Sequence, residues 1–210
     1  ELPSSLKVIG TAVFQYCESL RSIKIAEGVE IIGESSFLGC RQLEHVELPS
    51  SLRQIGERVF FNCKQLEHVE LPSSLKEIGE AAFRGCKSLR AIRIPDGVER
   101  LEGAAFLVCD QLEYVELPNG LREIGERAFC GCGSLRSIKI PEGVKMIGSC
   151  TFYRCEQLEH VELPGSLREI GREVFRFCRS LRVIKIPDGV EILEECAFGG
   201  CEQLEHVELP

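Results

Sequence analysis

Apolar positions recur along this chain with a period of 23 residues. Phenylalanine stands at Phe14, Phe37, Phe60, Phe83, Phe106, Phe129, Phe152, Phe175 and Phe198. A cysteine follows each by three residues, at Cys17, Cys40, Cys63, Cys86, Cys109, Cys132, Cys155, Cys178 and Cys201, and a leucine follows each cysteine by three, from Leu20 to Leu204. Three and five residues beyond the leucine come aliphatic positions such as Ile23 with Ile25, Val46 with Leu48 and Ile92 with Ile94, with polar residues between them. That alternation predicts a strand with one buried edge. A proline, or Ala26 in one copy, then precedes Gly, Ser, Asn or Asp, which is turn chemistry. The next apolar pair, Leu52 with Ile55 for example, predicts a second short strand. A glycine such as Gly56 usually follows it, and is lost in the copies holding Glu102 and Glu194. From that glycine to the cysteine, as in Gly56 to Cys63, Glu, Arg and Ala surround an inward phenylalanine, and the stretch predicts one or two helical turns.

One such unit cannot bury its own apolar face, so the copies must stack into a continuous core of Leu, Ile, Phe and Cys rows. Nine copies at the ~4.8 Å spacing of adjacent strands give a solenoid about 40 Å long. The expectation is a single solenoid over residues 1–210. Proline and glycine in nearly every copy exclude a long helix or coiled coil. Glu1-Leu2-Pro3 returns as Glu208-Leu209-Pro210. Neither end carries a polar capping unit, which leads us to expect a segment of a longer array whose ends fray or associate end to end.

Pattern and spacing carry a resemblance. Cys-x-x-Leu-x-x-Ile-x-Ile-Pro-x-x-Val-x-x-Ile-Gly-x-x-x-Phe, read from Cys132 to Phe152, resembles the 23-residue leucine-rich repeat of BspA-like surface antigens, also called the Treponema pallidum type. The match recurs along the whole chain. The resemblance implies an α/β-type, strongly β-rich leucine-rich-repeat solenoid with a concave parallel sheet, second short strands and short helical turns on the other faces. It also implies a place among bacterial and protist surface adhesins, and it brings no shared catalytic motif.

Composition and charge narrow the function classes. At 44% apolar and 28% charged residues the chain reads as a folded, water-soluble protein. Its longest apolar run, Ala104 to Cys109, is too short to span a membrane, so no membrane insertion is expected. A net charge of −8 argues against nucleic acid, whose binders concentrate basic side chains to displace counterions. No phosphate loop, His-Glu-x-x-His or nucleophile elbow is present, and the reading is of a noncatalytic protein without cofactor.

Chemistry therefore rests on the outward positions of the expected concave strands. These alternate in charge. Basic strands carry Arg21 with Lys24, Arg90 with Arg93, Arg136 with Lys139 and Arg182 with Lys185; acidic ones carry Glu44 with Glu47, Glu67 with Glu70, Glu113 with Glu116, Glu159 with Glu162 and Glu205 with Glu208. Basic strands lead into turns ending in Val and acidic strands into turns ending in Leu, which suggests a 46-residue double repeat. Opposite charges on neighbouring strands form stabilising ladders. The alternation breaks once, where two acidic strands adjoin at Glu44, His45, Glu47 and Glu67, His68, Glu70. Either this is a tolerated duplication slip, or it is a spot for a basic partner. The candidate binding face comprises Glu44, His45, Glu47, Glu67, His68, Glu70, Arg90, Arg93, Glu113, Tyr114 and Glu116. Paired histidines among glutamates also admit a divalent metal or a pH switch as readings, against mere proximity in a surface row.

The cysteine row fills a narrow core position with reduced thiols, which suggests a reducing compartment, whereas the family resemblance points to the cell surface. Cys150 and Cys196 share an outer phase two rungs apart, too far to bridge, and Cys130 and Cys132 point apart. The functional reading is an adhesin-like protein-interaction module binding through the concave face. The alternative is a structural spacer of a longer array with no specific ligand.

Overall fold

The computed structural model describes residues 2–209; Glu1 and Pro210 of the shared terminal tripeptides lie outside the described residues. Two series of short parallel strands alternate along the chain. The first holds β2 (Ser22–Lys24), β4 (His45–Glu47), β6 (His68–Val69), β8 (Ala91–Arg93), β10 (Tyr114–Glu116), β12 (Ser137–Lys139), β14 (His160–Glu162), β16 (Val183–Lys185) and β18 (His206–Glu208). The second holds β1 (Val8–Ile9), β3 (Ile31–Ile32), β5 (Gln54–Ile55), β7 (Glu77–Ile78), β9 (Arg100–Leu101), β11 (Glu123–Ile124), β13 (Met146–Ile147), β15 (Glu169–Ile170) and β17 (Ile192–Leu193). Every pairing joins residues one repeat apart, as Ile32 with Ile55 and Ile138 with Val161. The chain is thus a parallel β-solenoid of about nine turns, and both strand predictions from the apolar pairs hold.

The helical turns do not form: no helix occurs among the described residues. The segment from glycine to cysteine is instead a string of tight turns with two left-handed residues per repeat, such as Ala12 and Tyr16 or Arg58 and Asn62. Its alternate amides point at the next rung. Ala81 N donates to Gly103 O at 2.9 Å, Phe83 N to Ala105 O at 2.8 Å and Gly85 N to Leu107 O at 2.8 Å. The reason is spacing. Phenylalanine rings of successive rungs stack with centroids 5.1 to 5.7 Å apart. An α-helix is ~10 Å across and would wedge the rungs open on that side. Turns keep the third face as thin as the two sheets and give its backbone groups partners in the next rung.

The core runs the length of the stack. Seven of the nine phenylalanines, from Phe37 to Phe175, are wholly buried, as are the Leu and Cys rows beside them. The thiols do more than fill space. Cys86 Sγ donates to Phe60 O at 3.1 Å, a carbonyl that also accepts the Cys63 amide at 3.1 Å, and the same link recurs from Cys40 to Cys201. All twelve cysteines are free.

The pairing is interrupted in a patterned way. In the first series Ile25, Ile94, Ile140 and Ile186, which end basic strands, donate to Glu47, Glu116, Glu162 and Glu208 of the acidic strand that follows, each at 2.9 Å. Leu48, Leu71, Leu117 and Leu163, which end acidic strands, make no such bond among the described residues, and after the last three the strand pairing stops as well. This sheet therefore divides into β2-β4-β6, β8-β10, β12-β14 and β16-β18. The 46-residue doubling suggested by the charges is a doubling of the hydrogen-bond ladder as well.

The second sheet breaks once, into β1-β3-β5-β7 and β9-β11-β13-β15-β17. The lost glycine sits at that break. The glycine after each second strand packs on the preceding rung's backbone: a Cβ on Gly79 would lie 2.6 Å from Glu57 N, and one on Gly125 2.7 Å from Gly103 N. Gly79 N reaches Ile55 O at 2.8 Å and Gly125 N reaches Leu101 O at 2.8 Å, while Glu102, in the same row, makes no bond to Ile78 O. Unlike the row's glycines, Glu102 carries a Cβ at a position where one on Gly79 or Gly125 would meet backbone.

Candidate functional site

The outward side chains of the first sheet flank buried centres. In β4, exposed His45 and Glu47 lie on either side of buried Val46, and the remaining candidate residues are exposed as well, apart from half-buried Glu116. Geometry pairs half of the facing charges of the hydrogen-bonded doublets and leaves Glu113, Glu159, Glu205 and Glu208 with no Lys or Arg within ion-pair distance among the described residues. Arg21 reaches Glu44 at 3.0 Å, Lys24 reaches Glu47 at 2.8 Å, Arg93 reaches Glu116 at 3.3 Å and Lys139 reaches Glu162 at 2.9 Å. The hydrogen bond to Glu47, with its charge, raises the Lys24 pKa, and the same bond holds the Glu47 carboxyl below its ordinary value. Both groups are in full contact with water, so such pairs hold side-chain positions more than they stabilise the fold.

Four carboxylates meet where the alternation fails, but two are neutralised by the basic strand before them. Glu67 and Glu70 on and beside β6 are left with no Lys or Arg within ion-pair distance among the described residues. Glu70 has only His68, Nε2 to Oε1 at 3.3 Å. His45 and His68 are in register, yet each turns to the glutamate of its own strand, His45 at 3.9 Å from Glu47. No group of three His, Cys, Asp or Glu among the described residues is placed to hold a metal.

Across the unpaired step from β6 to β8 the surface dips into a depression of about 390 Å³ lined by His68, Glu70, Leu71, Ile92, Arg93 and Tyr114. Four predicted residues thus meet in one place: an unpaired glutamate and a histidine on one wall, Arg93 and the exposed Tyr114 on the other. Tyr114 donates its hydroxyl proton to Glu116 at 3.4 Å. Glu44, His45 and Glu47 lie one strand before the depression, and Arg90, Glu113 and Glu116 flank it on β8 and β10. Their common geometry is an open, amphoteric surface.

A further group escaped the sequence reading. On the turn face Arg84 lies over Phe61 at 5.1 Å, Arg154 over Tyr153 and Phe177 at 5.6 and 5.7 Å, and Arg176 over Phe177 at 4.9 Å. Arg84 and Arg154 have no carboxylate within ion-pair distance among the described residues. The signal was available in two outer phases of the repeat, one lining up Phe61, Arg84, Leu107, Cys130, Tyr153 and Arg176 and the next holding Arg154 and Phe177, but only the turn geometry shows that they share a face. Cys130 is half-buried there, and burial raises its pKa against the pull of the arginines around it.

Comparison with known proteins agrees with this geometry. The model of the BspA type leucine rich repeat region (6 copies) matches residues 1–113 and 101–210. The fold is similar to that of a leucine-rich repeat protein from Bacteroides ovatus, at 33% identity and a TM-score of 0.83; the match covers 98% of this chain and 64% of that one. It is similar also to the Treponema pallidum leucine-rich repeat protein, at 31% identity and a TM-score of 0.61 over 86% of this chain and 76% of that one. The pneumococcal vaccine antigen PcpA shares the fold at 24% identity and a TM-score of 0.63, over 96% of this chain and 53% of that one. No curated protein sequence matches. With the family model matched from end to end and a 23-residue parallel solenoid beneath it, the chain belongs to the BspA-type leucine-rich-repeat family.

Proposed function

We propose that this chain is a noncatalytic protein-interaction module that engages a basic partner at the step from β6 to β8. Leucine-rich-repeat proteins of this family are generally interaction or surface proteins. The observation that carries the reading is that β6 is bonded to acidic β4 alone, so Glu67 and Glu70 have no basic strand in register beside them, whereas β10, β14 and β18 are each bonded to one. Two carboxylates beside an exposed tyrosine and a shallow apolar floor favour lysine- or arginine-bearing segments, with steering that weakens as salt rises. A lysine-rich peptide titrated by NMR at low and physiological salt tests this. The expected result is that shifts centre on His68, Glu70 and Tyr114 and vanish in the Glu67→Lys, Glu70→Lys double variant. Equal binding by that variant would refute the reading, and absence of binding to either protein would leave the spacer as the better description.

A further inference from the structure

Only one rung-to-rung interface among the described residues lacks pairing in both sheets. The first sheet also opens between β10 and β12 and between β14 and β16, but there the second sheet runs on through β11-β13 and β15-β17. Between β6 and β8, and between β7 and β9, neither sheet is bonded. The hydrogen bonds left across that interface are the turn ladder from Ala81, Phe83 and Gly85 and two long amide contacts, Ser88 to Lys64 at 3.2 Å and Arg90 to Glu67 at 3.4 Å, beside the packed core that includes the Phe83 and Phe106 rings at 5.2 Å. All the short hydrogen bonds lie on one side of the stack.

On the other side the second sheet is unbonded at this step, although Gly97 still packs on Leu75 O of the rung before. An open depression of about 610 Å³ runs over three rungs here, from Gln54 and Glu57 past Glu77 and Glu80 to Arg100 and Glu102, and takes in the unbonded step. No ion pair spans that step among the described residues: Arg100 turns away, to Glu102 at 3.7 Å and to Glu123 of the next rung at 3.2 Å. Glu194 offers a control within the chain. It too replaces the row glycine, yet its amide reaches Ile170 O at 3.0 Å and β17 stays paired with β15. β17 is the edge strand of its sheet, so its rung is free to tilt around the added Cβ. The rung of Glu102 is held by β11 on its far side and by the turn ladder on its near side, and cannot tilt without breaking one of them.

We propose that this interface is a joint. The turn ladder and phenylalanine stack act as its strap, the Cβ of Glu102 holds the second sheet unpaired where the first is already open, and residues 2–86 and 89–209 move as two stacks about it. The proposal does not depend on what the first sheet binds. It does place the joint beneath the depression between β6 and β8, so opening or closing it changes the distance between Glu70 and Arg93.

The test compares Glu102→Gly, which removes the Cβ, with Glu102→Ala, which removes only the carboxylate and its ion pair. Amide exchange followed by NMR on the full chain should show Glu102 N–H exchanging at least ~100-fold faster than Gly125 N–H in the unaltered protein. In Glu102→Gly that gap should shrink to within about tenfold, while Glu102→Ala leaves it open. Motion is read separately. With Cys130, Cys150 and Cys201 changed to Ser, spin labels on the exposed Cys17 and Cys196 span the joint, and their distance distribution should narrow in Glu102→Gly only. A Glu102 amide as protected as that of Gly125, or equal protection in the two variants, overturns the proposal. So does a distance distribution that Glu102→Gly leaves unchanged.

Discussion

The buried thiol row makes stability steeply sensitive to alkali. Cys40, Cys63, Cys86, Cys109, Cys132, Cys155 and Cys178 are wholly inaccessible to solvent. Burial raises the Cys40 pKa from its ordinary value of 9.0 to about 11, and pushes the other six higher still. In the unfolded chain each ionises near 9. Because the folded pKa is the higher one, the protonated thiols contribute stability that is fully present below pH 9 and is lost as pH rises toward and through the folded values. At pH 10 each unfolded thiol favours unfolding by about 1.4 kcal/mol, so seven together withdraw about 10 kcal/mol. A domain is stable by only about 5–15 kcal/mol, so we expect unfolding close to pH 10. Urea titrations followed by circular dichroism at pH 8, 9, 9.5 and 10, with reductant present, measure the fall. Changing Cys63, Cys109 and Cys155 together to Ala leaves four buried thiols and should reduce the pH 10 loss to about 6 kcal/mol. A midpoint that stays flat from pH 8 to 10, or an equal fall in the triple variant, would refute the reasoning.

Two other substitutions probe the core and the glycine row. Phe106 is buried between Phe83 at 5.2 Å and Phe129 at 5.5 Å, so Phe106→Ala should cost about 3–5 kcal/mol of unfolding free energy. Phe14 has a single stacked partner and is half-exposed, so Phe14→Ala should shift the urea midpoint by less than half as much; equal shifts would contradict a stack that acts through its neighbours. Gly125→Ala would drive a Cβ to within 2.7 Å of Gly103 N and 2.9 Å of Glu102 C. Overpacking of this kind costs about 1–3 kcal/mol. The β9-β11 amides should lose their exchange protection, and retained protection would show that the row does not need glycine.

Much of this was legible in the chain because the repeat writes each structural position nine times over. The alternation of Ile23 with Ile25 and the turn residues before the Leu52 and Ile55 pair announce two short strands, and the structure puts β2 over Ser22–Lys24 and β5 over Gln54–Ile55. The glycine-to-cysteine stretch misled. Glu, Arg and Ala around Phe60 have helical composition, and the competing requirement, a rung only ~5 Å thick, lies between repeats rather than within one. The charge doubling was visible in residues such as Arg21 and Glu44. That Glu44 and Glu47 are neutralised from β2 while Glu67 and Glu70 are not depends on which strands bond, a matter of spacing across the stack. The arginines on the turn face share that history, since they are far apart in sequence and meet only through the stacking of turns.

The sequence by itself determined the family, the rung length, the buried rows and the alternation of charge, because a strict period forces equivalent residues into equivalent places. Only the tertiary structure decided what each row does to its neighbour. A cysteine read as a small apolar filler becomes the donor to a phenylalanine carbonyl of the rung before it. A glutamate in place of glycine, visible at once as an irregularity at Glu102, parts one sheet there and at Glu194 does not. The difference is whether the next rung leaves room to move. That is a property of packing between repeats, which no single repeat contains.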